Sequence, residues 1–97
     1  MYTIEFTPES LNDISGFRRF EQQKIFEGIK KQLSYQPTIE ARNRKRLRPN
    51  SVAEWELRID TIRVFYDVFK QVQIVKVVAV GHKKGNQLYL NGKEYKL

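Results

Sequence analysis

The chain has 97 residues, 40% of them hydrophobic and 30% charged, and eighteen Lys and Arg against eleven Asp and Glu give a net charge of +7. That length suits one small domain over residues 1–97, which buries only about 60 to 65% of its unfolded surface and has little stability to spare. With no cysteine it excludes disulfides, thiolate metal sites and thiol nucleophiles; it has neither an apolar run of membrane-spanning length nor a secretory leader pattern, so a cytoplasmic protein with a polyanionic partner is expected.

MYTIEFT alternates Tyr2, Ile4 and Phe6 against Thr3 and Glu5, the period of a half-buried strand. Thr7-Pro8-Glu9 then starts a helix: a hydroxyl for the N-cap, a proline for the first helical position and a carboxylate near the positive end of the dipole. Leu11, Ile14 and Phe17 form its apolar stripe. From Phe20 through Tyr35, Ile25, Phe26, Ile29 and Leu33 recur at three and four, which predicts a second amphipathic helix that Pro37 stops. A short connection makes the pair an antiparallel helical hairpin.

RNRKRLR at 42–48 puts five positive charges in seven positions. It reads either as a solvated, partly disordered connector or as a loop that binds a phosphate backbone through Arg44, Lys45, Arg46 and Arg48. From Trp55 to Gly81 the chain is rich in β-branched and aromatic residues, broken only at Asp60-Thr61 and Lys70-Gln71, which predicts three consecutive antiparallel strands. Asn91-Gly92, between alternating residues, is a strong hairpin signal.

A two-residue turn at Asp60-Thr61 sets Ile59 opposite Ile62, Leu57 opposite Val64 and Trp55 opposite Tyr66, an apolar side that can pack on the helices. The other side sets Arg58 opposite Arg63 and Glu56 opposite Phe65. Opposed like charges cost a few tenths to about 1 kcal/mol. Either both are solvated side chains whose stems cover Phe65, or two guanidinium forks share one anion. Continued through a turn at Lys70-Gln71, this register puts Val75, Val77 and Ala79 on the apolar side and Val78, Val80 and His82 beside the arginines. Gly81 and Gly85 then let the chain turn.

Arginines, a histidine, the lysines Lys83 and Lys84 and Tyr89 lack the carboxylates for magnesium and the ligand number for zinc, so no metal or other cofactor is expected. They suit metal-free RNA cleavage, in which a 2′-hydroxyl attacks its adjacent phosphate. That reaction needs a base, cations for the added charge and an acid for the leaving oxygen. A lone histidine such as His82 is more often an ordinary surface or capping residue, and Tyr89 reads equally as a half-buried hairpin residue. Neither a nucleophile elbow nor a glycine-rich phosphate loop is present.

The stretches WELRIDTIRVFYDV and VVAVGHKKGNQLY, with the order of elements around them, resemble the RelE/ParE superfamily of bacterial type II toxins over nearly the whole chain. The resemblance implies an antitoxin that wraps the toxin in a toxin-antitoxin hetero-oligomer. RelE-like members cut messenger RNA in the ribosomal A site without a metal, and ParE-like members inhibit DNA gyrase. By position, Arg63 corresponds to the arginine that contacts the scissile phosphate and Arg58 to a basic residue on the preceding strand. Lys83 stands for the basic residue two after the glycine, and Tyr89 for the late tyrosine that orients or activates the 2′-hydroxyl. Glu56 stands where RelE has a lysine, a histidine near His82 serves in related ribonuclease toxins, and an NG hairpin replaces a terminal helix.

The resulting expectation is an α+β domain, two N-terminal helices packed on one face of a mainly antiparallel sheet of about four strands, with a C-terminal β-hairpin. The expected function is a toxin that cleaves ribosome-bound mRNA through Arg63, Tyr89, His82, Arg58 and Lys83, with Arg44, Lys45, Arg46, Arg48 and Lys84 on the RNA. The alternatives are a non-enzymatic gyrase inhibitor and a silent member that binds RNA or only its antitoxin. An acidic, amphipathic antitoxin segment is expected to cover the basic face.

Overall fold

A computed structural model describes residues 1–96. The elements run β1 (Thr3–Phe6), α1 (Pro8–Ser15), α2 (Arg19–Leu33), β2 (Arg44–Arg46), β3 (Trp55–Ile59), β4 (Ile62–Phe69), β5 (Ile74–Lys84), β6 (Gln87–Leu90) and β7 (Lys93–Tyr95). The architecture is α+β, with more strands than the sequence suggests. Thr7 is the N-cap of α1: its Oγ1 accepts from the Ser10 amide at 3.1 Å, and Pro8 occupies the first turn. At the other end of the chain Asn91 (φ 53°) and Gly92 (φ 77°) both take left-handed backbone, as a two-residue hairpin of matching twist requires.

The strands form one sheet in the order β2-β3-β4-β5-β6-β7, with β1 also on β5. β5 is long enough to hold two partners on its outer edge: β1 runs parallel to Ile74–Val77 and β6 antiparallel to Gly81–Lys84. At the gap between them, the Thr7 amide donates to the Val77 carbonyl at 3.0 Å and the Thr7 hydroxyl to the Val78 carbonyl at 3.3 Å. The Val80 amide donates to an Asp13 carboxylate oxygen at 3.0 Å. The start of α1 thus caps backbone groups that no strand reaches.

The expected pairs Ile59 with Ile62, Leu57 with Val64, Trp55 with Tyr66 and Arg58 with Arg63 are all present. Trp55, Leu57, Ile62, Val64, Tyr66, Val75 and Val77 form the main core with Ile14, Ile25, Ile29 and Leu33 of the helices. Tyr66 is fully buried, its hydroxyl donates to the Pro37 carbonyl at 2.7 Å, and burial pushes its pKa up. Leu11, placed in the α1 stripe by spacing, is 47% exposed.

Three expectations are corrected. The connection after β4 is four residues rather than two, because Phe69 pairs with Ile74 and Gln73 takes φ 56°. RNRKRLR is no disordered connector: Arg44–Arg46 form an edge strand on β3. The register between β4 and β5 slips at Phe65/Tyr66, where Phe65 pairs with Ala79 and Tyr66 with Val77. The extra residue, Val78, is a β-bulge that inverts the alternation beyond it. Ala79 therefore joins a second cluster on the far face, with Phe65, Leu88, Leu90 and Ala53, while Val80 turns into the main core.

Burial raises the Asp13 pKa above its usual 3.8, and Glu9 adds to this against the Val80 hydrogen bond. A folded state that holds its proton more tightly than the unfolded chain loses stability as pH rises from about the unfolded value through the raised one. Asp13→Asn keeps an acceptor for Val80 without the titration. Thermal melts are expected to show the wild type falling in stability across that acidic window relative to Asp13→Asn, with the two profiles parallel above it.

Candidate functional site

The sheet separates the singled-out polar groups onto two surfaces. The first is the face away from the helices. The β3–β4 turn sets Arg58 directly opposite Arg63, and alternation against the core residues on either side turns both away from α1 and α2. Glu56, two residues before Arg58 on β3 and opposite Phe65, has its side chain 5% exposed and accepts from Arg58 Nε at 3.1 Å. Arg63 Nη1 donates to the carbonyls of Asp60 at 2.7 Å and Ile62 at 3.1 Å. Its Nε is buried with no hydrogen-bond partner among the described residues.

Desolvation is the main cause that lowers the Arg63 pKa from its ordinary value; the Glu56 charge opposes this and Arg58 adds to it. An anion on this face would meet the Arg58 and Arg63 charges together. Lys83 shares the face through its pair with Leu88, and Lys45 through its pair with Glu56. Between the basic edge and the C-terminal hairpin lies a cleft of about 390 Å³, lined by Lys45, Arg48, Arg58, Lys83 and Tyr95 among others.

Arg44 and Arg46 alternate to the opposite side of β2 from Lys45, because in a three-residue strand only the middle side chain shares a face with Glu56, although Arg46 at the sheet edge still lines the 390 Å³ cleft. Arg44 is committed to structure. Its Nη1 donates to Gln32 Oε1 at 2.7 Å and its Nε to the Ile39 carbonyl at 2.9 Å, at the C-terminal end of α2. Arg46 lies over the Trp55 ring, 5.7 Å from its centroid, and pairs with Glu54 at 3.6 Å.

The second surface holds His82 and Tyr89. His82 pairs with Ile62, a core residue, so the bulge at Val78 has put it on the helix side rather than beside the arginines. Lys84 follows it by alternation. The His82 and Tyr89 rings stack at 5.4 Å and 19°, and the edge of Phe17 meets His82 at 6.5 Å. Tyr89 donates to Gln87 Oε1 at 2.6 Å. A second cleft, about 470 Å³, runs past these rings to Asp13. The two sets nevertheless leave the sheet at neighbouring positions, since Arg63 pairs with Gly81 and Ile62 with His82, next to the turn that starts β4.

Gly81 does not turn the chain. A Cβ there would lie 2.2 Å from the Tyr89 carbonyl oxygen, so glycine permits the close approach of β6. Sequence reasoning also missed Tyr95 as a lining residue; the alternation of the hairpin, which pairs it with Leu88, carried that signal.

Glu56 neutralises part of this face. Glu56→Gln keeps the shape and frees Arg58, so oligonucleotide binding is expected to tighten and the slope of log K against log salt to steepen by about one phosphate contact. A titration at several salt concentrations checks it; an unchanged slope means that Arg58 does not meet phosphate.

Comparison with known proteins yields one family model and several solved structures. The model described as the ParE toxin of the type II toxin-antitoxin system parDE matches residues 4–87. The chain is similar in fold to a chain of the toxin-antitoxin complex RelBE2 from Mycobacterium tuberculosis, with a TM-score of 0.73 and 24% identity over 84% of this chain and 98% of that one. It is also similar to a chain of the archaeal RelE-RelB complex from Pyrococcus horikoshii OT3, with a TM-score of 0.68 and 15% identity over 87% of this chain and 96% of that one. No curated protein matches the sequence.

Proposed function

The chain belongs to the RelE/ParE superfamily of type II toxin-antitoxin toxins, and from that premise we propose that it is a metal-independent endoribonuclease acting on ribosome-bound messenger RNA, held inactive by a cognate antitoxin. The observation that carries this reading is the direct opposition of Arg63 and Arg58 on the sheet face that also holds Lys83 and Lys45.

In this reading Arg63 stabilises the extra negative charge on the phosphorus during attack by the 2′-hydroxyl. Arg58, Lys83, Lys45 and Arg48 hold flanking phosphates. The message crosses the end of the sheet where Arg63 and His82 leave it on opposite sides, so that one group of His82 and Tyr89 takes the hydroxyl proton and the other protonates the departing 5′-oxygen. The products are a 2′,3′-cyclic phosphate and a free 5′-hydroxyl. Arg44, tied to Gln32 and Ile39, and Lys84, on the His82 side, lie outside this contact.

A second reading, inhibition of DNA gyrase, is favoured by the Val78 bulge, which takes His82 and Tyr89 off the arginine face. Primer extension on a ribosome-bound message beside a gyrase supercoiling assay separates the two. Specific breaks with normal supercoiling are expected, and intact message with blocked supercoiling overturns the ribonuclease.

A further inference from the structure

Tyr95 is an exposed aromatic residue in a place where packing does not require one. It lies on β7, opposite Leu88, and lines the cleft shared with Lys45, Arg48, Arg58 and Lys83. Leu88 beneath it is 4% exposed, while Tyr95 keeps 41% of its surface open. The Tyr95 side chain therefore stands exposed on the face that holds the small far-face cluster. Its strand is short, but the Asn91-Gly92 turn, with both residues in left-handed backbone, sets the register that aims it.

An open aromatic face beside several cations is the arrangement that receives single-stranded nucleic acid: cations hold the phosphates and the ring stacks on a base, whichever base it is. An acidic peptide would use the cations equally well but has less use for a flat ring. On these grounds, and resting on the ribonuclease reading above, we infer that Tyr95 is a positioning residue, the platform on which one base of a single-stranded RNA stacks while its phosphates meet Arg58 and Lys83. The hairpin wall of the cleft thereby sets which phosphate reaches Arg63. The ring touches the base rather than the reacting atoms, so it acts through the placement of the strand.

The test uses the full chain and a short single-stranded oligoribonucleotide, 2′-O-methylated to block cleavage, with 2-aminopurine at successive positions. Wild type is expected to quench the fluorescence of one position. Tyr95→Ala should lose that quench and bind about 5- to 150-fold more weakly, the range that the loss of one base stack costs. Tyr95→Trp should restore both, and Tyr95→Leu, which still covers Leu88, should restore neither; matched thermal melts exclude misfolding as the cause. If Tyr95→Ala quenches and binds as wild type does, the platform is refuted and the ribonuclease reading stands. If wild type binds no RNA and blocks supercoiling, both fall. If the loss of Tyr95 weakens the antitoxin but not the RNA, the cleft docks protein and the inference fails.

Discussion

Arg63→Ala is expected to lower cleavage of ribosome-bound mRNA by about 10² to 10³, the loss that follows removal of one charge-stabilising donor from a reacting centre. The effect should fall on the cleavage step rather than on binding, since Arg58, Lys83 and Lys45 remain on the same face to hold the backbone. Arg63→Lys should recover only part of the rate, because an ammonium supplies charge but not the guanidinium fork. Replacing the ribose at the cut nucleotide with deoxyribose should abolish product, and chelators should leave the rate unchanged. Primer extension reads all of these. Full activity in Arg63→Ala would falsify the assignment, and product from the deoxyribose message would mean that the 2′-hydroxyl is not the nucleophile.

The second large effect is on stability. Leu57 is fully buried in β3, on the side that packs against the helices. Leu57→Ala should cost about 2 to 5 kcal/mol, from lost transfer energy and the cavity left behind. A domain of this size has about 5 to 15 kcal/mol in all, so a fall in melting temperature of roughly 10 to 30 °C is expected. Leu11→Ala provides the contrast: at 47% exposure it should change the melt by only a few degrees. Equal losses at the two positions would mean that the core is not where β3 meets the helices. Because Leu57 points away from the arginine face, any Leu57→Ala protein that remains folded at low temperature should still bind oligonucleotide.

The features legible in the sequence are those whose causes lie within a few residues. The Thr7 cap, the Asn91-Gly92 turn and the Asp60-Thr61 turn are made by neighbouring backbone and side-chain groups, so their signals survive without the rest of the chain. From the Asp60-Thr61 turn, strict alternation carries the reading outward to the Arg58–Arg63 pair. The Val78 bulge was not legible, since the groups beside it come from Thr7 and Asp13, about seventy residues earlier in the chain. One extra residue there decided that His82 and Tyr89 lie on the helix side and Val80 in the core. Tertiary structure alone likewise made a strand of Arg44–Arg46: five charges in seven positions have no local reason to extend, but the open edge of β3 offers backbone partners. Local chemistry determined the turns and the residues that alternate from them, whereas the register of strands distant in sequence was decided only when the sheet assembled.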